Sequence, residues 1–130
     1  MIGGRIIFLS TSLVKNSAIP PQVLVYVATK GAVEQMSRIL AKDLGRKGIT
    51  VNTVSPGPVD TDMFRYGKTE EAITTIANSH PLKRLGAPNE IAPVVAFLAS
   101  PEAAWVNGQT IAVNGVSRYI PVLKAYRQDV

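Results

Sequence analysis

Two kinds of hydrophobic pattern follow one another along this chain, and they predict different elements. Residues 5–11 form a short apolar run that ends in hydroxyl residues, which is typical of a strand buried on both faces of a parallel sheet. Residues 49–55, which are rich in β-branched side chains, and residues 109–113 predict two further strands. Over residues 25–46 the apolar positions instead recur at steps of three and four, which predicts one long helix. Its apolar stripe consists of Ala32, Val33, Met36, Ile39, Leu40 and Leu44. Three charged residues lie off that stripe at i,i+4 spacing, Glu34, Arg38 and Lys42.

The region between the second and third predicted strands carries signals for shorter helices. Thr69 can cap a helix over residues 70–78, and a proline suits the first turn of a helix over residues 88–99. One more helical turn is predicted from Ser100. The resulting order of strand, helix, strand, helices and strand predicts right-handed βαβ units around a parallel sheet, and therefore an α/β fold.

The composition fits one globular domain and excludes several classes of protein. The chain has 130 residues and no cysteine, so disulfides, thiolate catalysis and cysteine metal sites are excluded. Its longest apolar stretch, residues 91–99, is far below the roughly 20 residues of a membrane helix, and the first residues do not form a secretory signal. The net charge of +5 comes from basic residues spread along the chain, unlike a nucleic-acid-binding patch. We therefore expect no membrane or nucleic-acid partner and a cytoplasmic location.

Chemistry is expected at the carboxyl ends of the predicted strands, because ligands of open parallel sheets bind there. Tyr26 and Lys30 begin the long helix that follows the first of these ends. Their i,i+4 spacing puts both side chains on one helix face, about 5–6 Å apart at Cβ. A nearby ammonium favours the ionised form of a phenol, so the pair can donate and accept a proton. Spacing alone also fits an ordinary surface tyrosine and lysine.

A serine near the first strand end could complete the pair. Ser12 stands 14 residues before Tyr26, and its hydroxyl could hold a substrate oxygen while Tyr26 transfers a proton. Ser10 is the alternative, and either hydroxyl could instead satisfy backbone groups at the strand end. His80, the single histidine, has no evident partner for a catalytic triad or a metal site and is interpreted as incidental.

Together, five segments resemble the short-chain dehydrogenase/reductase family, in order and at family spacing, over roughly residues 5–115. They are Ser12, Tyr26-Val27-Ala28-Thr29-Lys30, the stretch from Ile49 to Thr61, the stretch from Arg84 to Ala92, and the stretch from Asn107 to Ile111. The 14-residue gap between Ser12 and Tyr26 is similar to that of fungal polyhydroxynaphthalene reductases and related ketoreductases.

The resemblance implies a fold, an activity and a role for individual residues. The fold would be the last three strands of a doubly wound Rossmann-like sheet, with their helices. Tyr26 would exchange the proton of a carbonyl or alcohol substrate, Lys30 would assist it and bind the nicotinamide ribose, and Ser12 would orient the substrate oxygen. NADP or NAD would supply the hydride, with NADP favoured. The implied contacts to the nicotinamide half come from Tyr26, Lys30, Pro56, Gly57, Val59 and Thr61.

The sequence also departs from the family pattern at both ends. It contains no glycine-rich TGxxxGxG turn, the element that holds the cofactor pyrophosphate. Residues 1–115 are therefore expected to form the C-terminal half of a catalytic domain, followed by a tail over residues 116–130. We expect this chain alone to bind cofactor weakly, and to form a homo-oligomer or associate with a separate N-terminal half. The alternative is an inactive remnant, or an interaction module that pairs with full-length relatives.

Overall fold

Three parallel strands in the order β1-β2-β3 form the sheet of the computed structural model, which describes residues 3–17 and 19–116. They are β1 (Arg5–Leu9), β2 (Thr50–Pro56) and β3 (Thr110–Val113). Leu9 lies opposite Val54 and Pro56 lies opposite Val113, so all three strands end at one edge of the sheet. The predicted α/β class with a parallel sheet is confirmed. The predicted domain boundary remains a prediction, because the tail beyond residue 116 lies outside the described residues.

Four helices connect and cover the strands: α1 (Leu24–Gly45), α2 (Asp62–Arg65), α3 (Glu70–Ser79) and α4 (Pro88–Ala99). The three longer helices were predicted, and the bounds of α4 match the prediction. The short helix α2 and the 3₁₀ turns Ser12–Lys15 and Pro21–Val23 were not predicted. The helical turn expected from Ser100 is the 3₁₀ turn Pro101–Ala103.

The central strand β2 is covered on both of its faces. All residues from 50 to 55 are buried, although their side chains alternate between the two faces. Val54 belongs to an apolar cluster with Leu98 of α4, whereas α1 packs along the other face. Helices on opposite faces give the β1–β2 and β2–β3 connections opposite hands. The expectation of right-handed βαβ units is therefore wrong for one connection. The second connection spans residues 57–109, far longer than the single-helix crossover that the rule describes.

Helix α1 faces the sheet with small and polar residues. Its buried residues are Glu34, Ser37 and Ala41, spaced by three and four positions. Met36 and Ile39 of the predicted apolar stripe are instead 43% and 61% exposed. Glu34 lies off the predicted stripe, as expected, but it is buried, unlike the exposed Arg38 and Lys42. Val33, Leu40 and Leu44 of the stripe are partly buried, so the predicted stripe coincides with the buried face only in part.

Two asparagines tie the start of β3 to the rest of the sheet. The Asn52 side chain accepts a hydrogen bond from the Gln109 amide (3.0 Å) and donates one to the Val106 carbonyl (2.8 Å). The Asn107 side chain accepts from the Val51 amide (2.8 Å) and donates to a carbonyl of α1 (3.1 Å). Each amide side chain thus replaces backbone hydrogen bonds that the irregular chain cannot make for itself.

Candidate active site

The exits of β1 and β2 lie side by side at the carboxyl edge of the sheet. The Ser10 amide donates to the Val54 carbonyl at 2.8 Å, which continues the pairing beyond β1. The Lys30 ammonium donates to the Leu9 carbonyl, also at 2.8 Å. This bond holds the N-terminal part of α1 against the end of β1. The fold therefore brings the start of the helix and both strand exits to one edge, as the sequence predicted.

Tyr26 and Lys30 meet on one face of α1. The Lys30 Nζ lies 5.8 Å from the centroid of the Tyr26 ring. Tyr26 is 40% exposed, and its hydroxyl has no hydrogen-bond partner among the described residues. The turn Ser12–Lys15 packs against the same part of the helix, where a Cβ built on Gly31 would lie 3.8 Å from Val14. A phenol that is accessible and lies beside an ammonium can exchange protons with a bound molecule, and this role stays a prediction.

The structure treats the two candidate serines differently. Ser10 is buried, and its hydroxyl donates to the Glu34 carboxylate at 2.9 Å. Ser12 begins the 3₁₀ turn that Thr11 caps, and its hydroxyl makes no hydrogen bond within the described part of the chain. The Ser10 hydroxyl is thus used to dock α1 on β1, which leaves Ser12 as the serine that a substrate could reach. Sequence analysis favoured Ser12 by its spacing and kept Ser10 as the alternative, and the catalytic role of Ser12 stays a prediction.

The end of β2 approaches the end of β3 closely at Gly57. Its amide donates to the Val113 carbonyl at 3.1 Å. A Cβ built on Gly57 would lie 2.9 Å from the Asn114 Cβ and 3.0 Å from its Cα, so any larger residue would force the two segments apart. Pro56, the last residue of β2, directs the chain into this contact. A backbone requirement therefore explains the glycine that the resemblance assigned to the cofactor loop.

A one-residue bridge supports the other side of this loop. Gly86 donates to the Pro58 carbonyl and accepts from the Asp60 amide, both at 2.9 Å, which pairs Val59 with Gly86. The bridge uses the groups that flank Val59. The N–H of Val59 itself has no partner within residues 3–17 and 19–116. A backbone donor placed this way suits the carboxamide contact that the resemblance implies for Val59.

Thr61 ends the loop by capping α2. Its hydroxyl accepts a hydrogen bond from the Phe64 amide at 3.2 Å. Arg65, in the same helix, makes a two-point ion pair with Asp60, with N···O distances of 2.6 and 3.0 Å, and also reaches Glu70 at 3.3 Å. The hydrogen bond from Arg65 lowers the pKa of the Asp60 carboxyl. Sequence analysis did not predict this pair, which fixes the first turn after the loop.

The predicted site residues thus fall into two groups at one edge. Ser12, Tyr26 and Lys30 lie around the start of α1, and the loop from Pro56 to Thr61 follows the neighbouring strand. No hydrogen bond joins the two groups within the described residues. Donors suited to a nicotinamide ring and its ribose are present, but no glycine-rich turn for a pyrophosphate is among them. The described residues also include no group of three or more potential metal ligands and no helix long and apolar enough to cross a membrane.

Comparisons with known proteins place these features in a family. A family profile described as "Enoyl-(Acyl carrier protein) reductase" matches residues 2–115. A "Short-chain type dehydrogenase/reductase" of Picea abies is 54% identical over 114 residues, which are 87% of this chain and 41% of that protein. The "NADPH-dependent aldehyde reductase 2, chloroplastic" of Arabidopsis thaliana is 50% identical over 113 residues, again 87% of this chain and 41% of the relative.

A fungal relative and a solved structure agree with these matches. The "Hydroxynaphthalene reductase arp2" of Aspergillus fumigatus is 43% identical over 119 residues, covering 82% of this chain and 43% of its own length. The crystal structure of a blue fluorescent protein from a metagenomic library, in complex with NADPH, superposes with a TM-score of 0.78 at 39% identity. It covers 88% of this chain and 45% of that one. This chain therefore spans somewhat less than half the length of the relatives it matches, and it belongs to the short-chain dehydrogenase/reductase family.

Proposed function

We propose that this chain carries the catalytic half of an NADP(H)-dependent reductase of small carbonyl compounds, which also runs in the direction of alcohol oxidation. The observation that carries the proposal is the position of Lys30. Its ammonium donates a hydrogen bond to the Leu9 carbonyl at the end of β1 and lies 5.8 Å from the centroid of the Tyr26 ring. Both residues are at the edge where parallel sheets bind their ligands. Family membership supports the same reaction class.

In this proposal each residue of the helix start has one task. Tyr26 donates a proton to the substrate oxygen in reduction and takes it back in oxidation. Lys30 stabilises the ionised phenol by its charge and binds the nicotinamide ribose. Ser12, whose hydroxyl has no partner among the described residues, holds the substrate oxygen in line with Tyr26.

The loop after β2 would hold the nicotinamide half of the cofactor. The N–H of Val59 faces away from the Gly86 bridge and suits the carboxamide, with the Thr61 hydroxyl beside it. Pro56 and Gly57 shape the loop against the end of β3. When bound, the cofactor supplies the hydride. NADP is favoured over NAD because a relative is named for NADPH and a solved relative contains NADPH.

A complete site also needs elements that bind the rest of the cofactor. In the relatives, these elements would lie in the part of the protein that this sequence does not match. Two surfaces of the chain suit such an association. The outer edge of β1 has no partner strand among the described residues, and α1 exposes Leu24, Val25, Met36 and Ile39. Unpaired strand edges and apolar helix faces promote contact with another polypeptide. We therefore propose association with a matching N-terminal half or with a second copy. A cytoplasmic location remains our prediction, although an Arabidopsis relative is named as chloroplastic.

A chimera tests the catalytic assignment. Residues 3–116 of this chain would replace the matching part of the Picea abies relative, and NADPH oxidation would be followed with a panel of aldehydes and ketones. Tyr26→Phe removes only the hydroxyl, so it should lower kcat by about 100- to 10,000-fold, as expected for lost general acid catalysis. Tyr66→Phe is the matched control, because it removes the same hydroxyl from a tyrosine that is 87% exposed and has no role in the proposed mechanism. An active chimera whose Tyr26→Phe variant retains its kcat would disprove the assignment.

A further inference from the structure

His80, which the sequence left without a role, is held at both ring nitrogens. It directly follows the last residue of α3, at the start of the connection to α4. The Leu82 amide donates to His80 Nδ1 at 3.1 Å, and His80 Nε2 lies 3.2 Å from the Asn114 carbonyl oxygen. Because Nδ1 accepts a hydrogen bond, the proton of the neutral ring is on Nε2. His80 therefore donates to Asn114.

The backbone at the end of β3 is shaped to receive this ring. Gly115 has a φ of +55°, a conformation that favours glycine. A Cβ built on Gly115 would lie 2.6 Å from His80 Cε1, so a larger residue at this position would push the imidazole away. The close approach of ring and backbone depends on glycine at this one position.

Asn114 links the histidine to the loop proposed to hold the nicotinamide. A Cβ built on Gly57 would lie within 3.2 Å of the Cα, Cβ and carbonyl oxygen of Asn114, and that oxygen is the one that accepts from His80. Gly86 supports the same loop from its other flank. A cavity of about 230 Å³ lies between the loop and the histidine, lined by Val59, His80 and Ile91 among others. Packed side chains do not fill this space. The loop is therefore held by backbone hydrogen bonds, from Gly57 to the end of β3 on one side and with Gly86 on the other.

We propose that His80 is a positioning residue for the loop from Pro56 to Thr61, acting through Asn114. It also joins two distant parts of the chain, because it directly follows α3 and bonds to Asn114 at the exit of β3. The geometric part of the inference is independent of catalysis. Its consequence for cofactor binding rests on the proposed function.

Backbone hydrogen exchange of the 130-residue chain tests the geometric part. In His80→Ala, exchange of the Gly57 and Asp60 amides should become about tenfold faster, the effect of losing one supporting hydrogen bond. The Thr53 amide, within β2, should keep its rate. His80→Gln places an amide N–H near the position of Nε2 and should restore slow exchange, whereas His80→Asn cannot reach Asn114 and should behave like the alanine variant.

The matched control is Leu82→Ala, which keeps the backbone amide that donates to the ring and removes a side chain that is 62% exposed. It should leave the loop amides unchanged. Unchanged loop exchange in His80→Ala would overturn the inference, and so would faster exchange spread evenly through β2, which would show general destabilisation instead.

The consequence for the cofactor is measured in the chimera with the Picea abies relative. His80→Ala should weaken NADPH binding about tenfold by fluorescence titration, and His80→Gln should restore it. Altered loop exchange with unaltered NADPH affinity would refute the link to the cofactor. Failure of the proposed function has a separate signature, because it appears as retained activity in Tyr26→Phe and leaves the exchange results intact.

Discussion

Replacing Ser10 and Ser12, the two serines that follow β1, separates a structural hydroxyl from the one proposed to act in catalysis. Ser10 donates a hydrogen bond to the buried Glu34 carboxylate, which is only 4% exposed and accepts no other within residues 3–17 and 19–116. The Ser12 hydroxyl makes no hydrogen bond to the described residues. Ser10→Ala should therefore destabilise the fold, whereas Ser12→Ala should leave the fold intact and impair only the reaction.

The expected loss of stability in Ser10→Ala follows from the hydrogen bond that Glu34 loses. A hydrogen bond to a charged group contributes about 1.5–3 kcal/mol, and a buried carboxylate without its donor keeps its full desolvation cost. We expect Ser10→Ala to lower the free energy of unfolding by about 2 kcal/mol, a large share of the roughly 5–15 kcal/mol of a typical domain. Ser12→Ala should change it by less than about 0.5 kcal/mol, as surface substitutions do.

Urea unfolding followed by circular dichroism measures both changes at equal protein concentration. With a slope of about 1–3 kcal/mol per molar urea, the loss for Ser10→Ala corresponds to a midpoint lower by about 1 M. A double variant, Ser10→Ala with Glu34→Met, removes both polar partners and should recover at least about 1 kcal/mol relative to the sum of the single changes. Equal midpoints for Ser10→Ala and Ser12→Ala, or no coupling with Glu34→Met, would refute the reasoning.

Three further predictions concern pH, glycine and association. The Arg84 guanidinium and a backbone amide lower the pKa of Glu90 from 4.5 to about 2. Its stabilising effect is therefore complete above pH 4.5 and disappears as the pH falls to about 2, and Glu90→Gln should remove that part of the pH dependence in urea titrations. In thermal unfolding, Gly31→Ala should stabilise the helix by about 0.5–1 kcal/mol, whereas Gly57→Ala should cost about 1–3 kcal/mol because the new Cβ presses on the end of β3. In sedimentation at micromolar concentration the chain should associate through the open edge of β1; a 13.9 kDa monomer that unfolds cooperatively would contradict this.

The elements that the sequence predicted well are those with local causes. The bounds of α4 follow from a proline suited to the first helical turn, and the start of α3 follows from Thr69, whose hydroxyl accepts from the Ala72 amide. The pair of Tyr26 and Lys30 is also local, since helical spacing alone brings the two side chains together. Such features depend on residues that are close in the chain, and a single sequence contains that information.

The features that the sequence did not predict depend on contacts between distant residues. Glu34 is buried because of a hydroxyl 24 positions earlier, and His80 is held by a carbonyl 34 positions later. The apolar stripe of α1 was assigned correctly as helical, yet the helix lies on the sheet through Ser37 and Ala41. Periodicity reports which residues share a face, but it does not report how closely two elements can approach.

The same distinction explains how the chemistry is divided along the molecule. The proposed acid/base group needs only a helix start and a strand end, and the hydrogen bond from Lys30 to the Leu9 carbonyl joins the two here. Binding a dinucleotide needs, in addition, a helix N-terminus that receives the pyrophosphate, and this sequence contains no glycine-rich turn of that type. Orientation of the reactants and binding of the cofactor are separate contributions to the rate, and catalysis requires both at once. In the proposed function, the residues of this chain would therefore orient a substrate and exchange its proton, while most of the affinity for the cofactor would come from the part of the relatives that this sequence does not match.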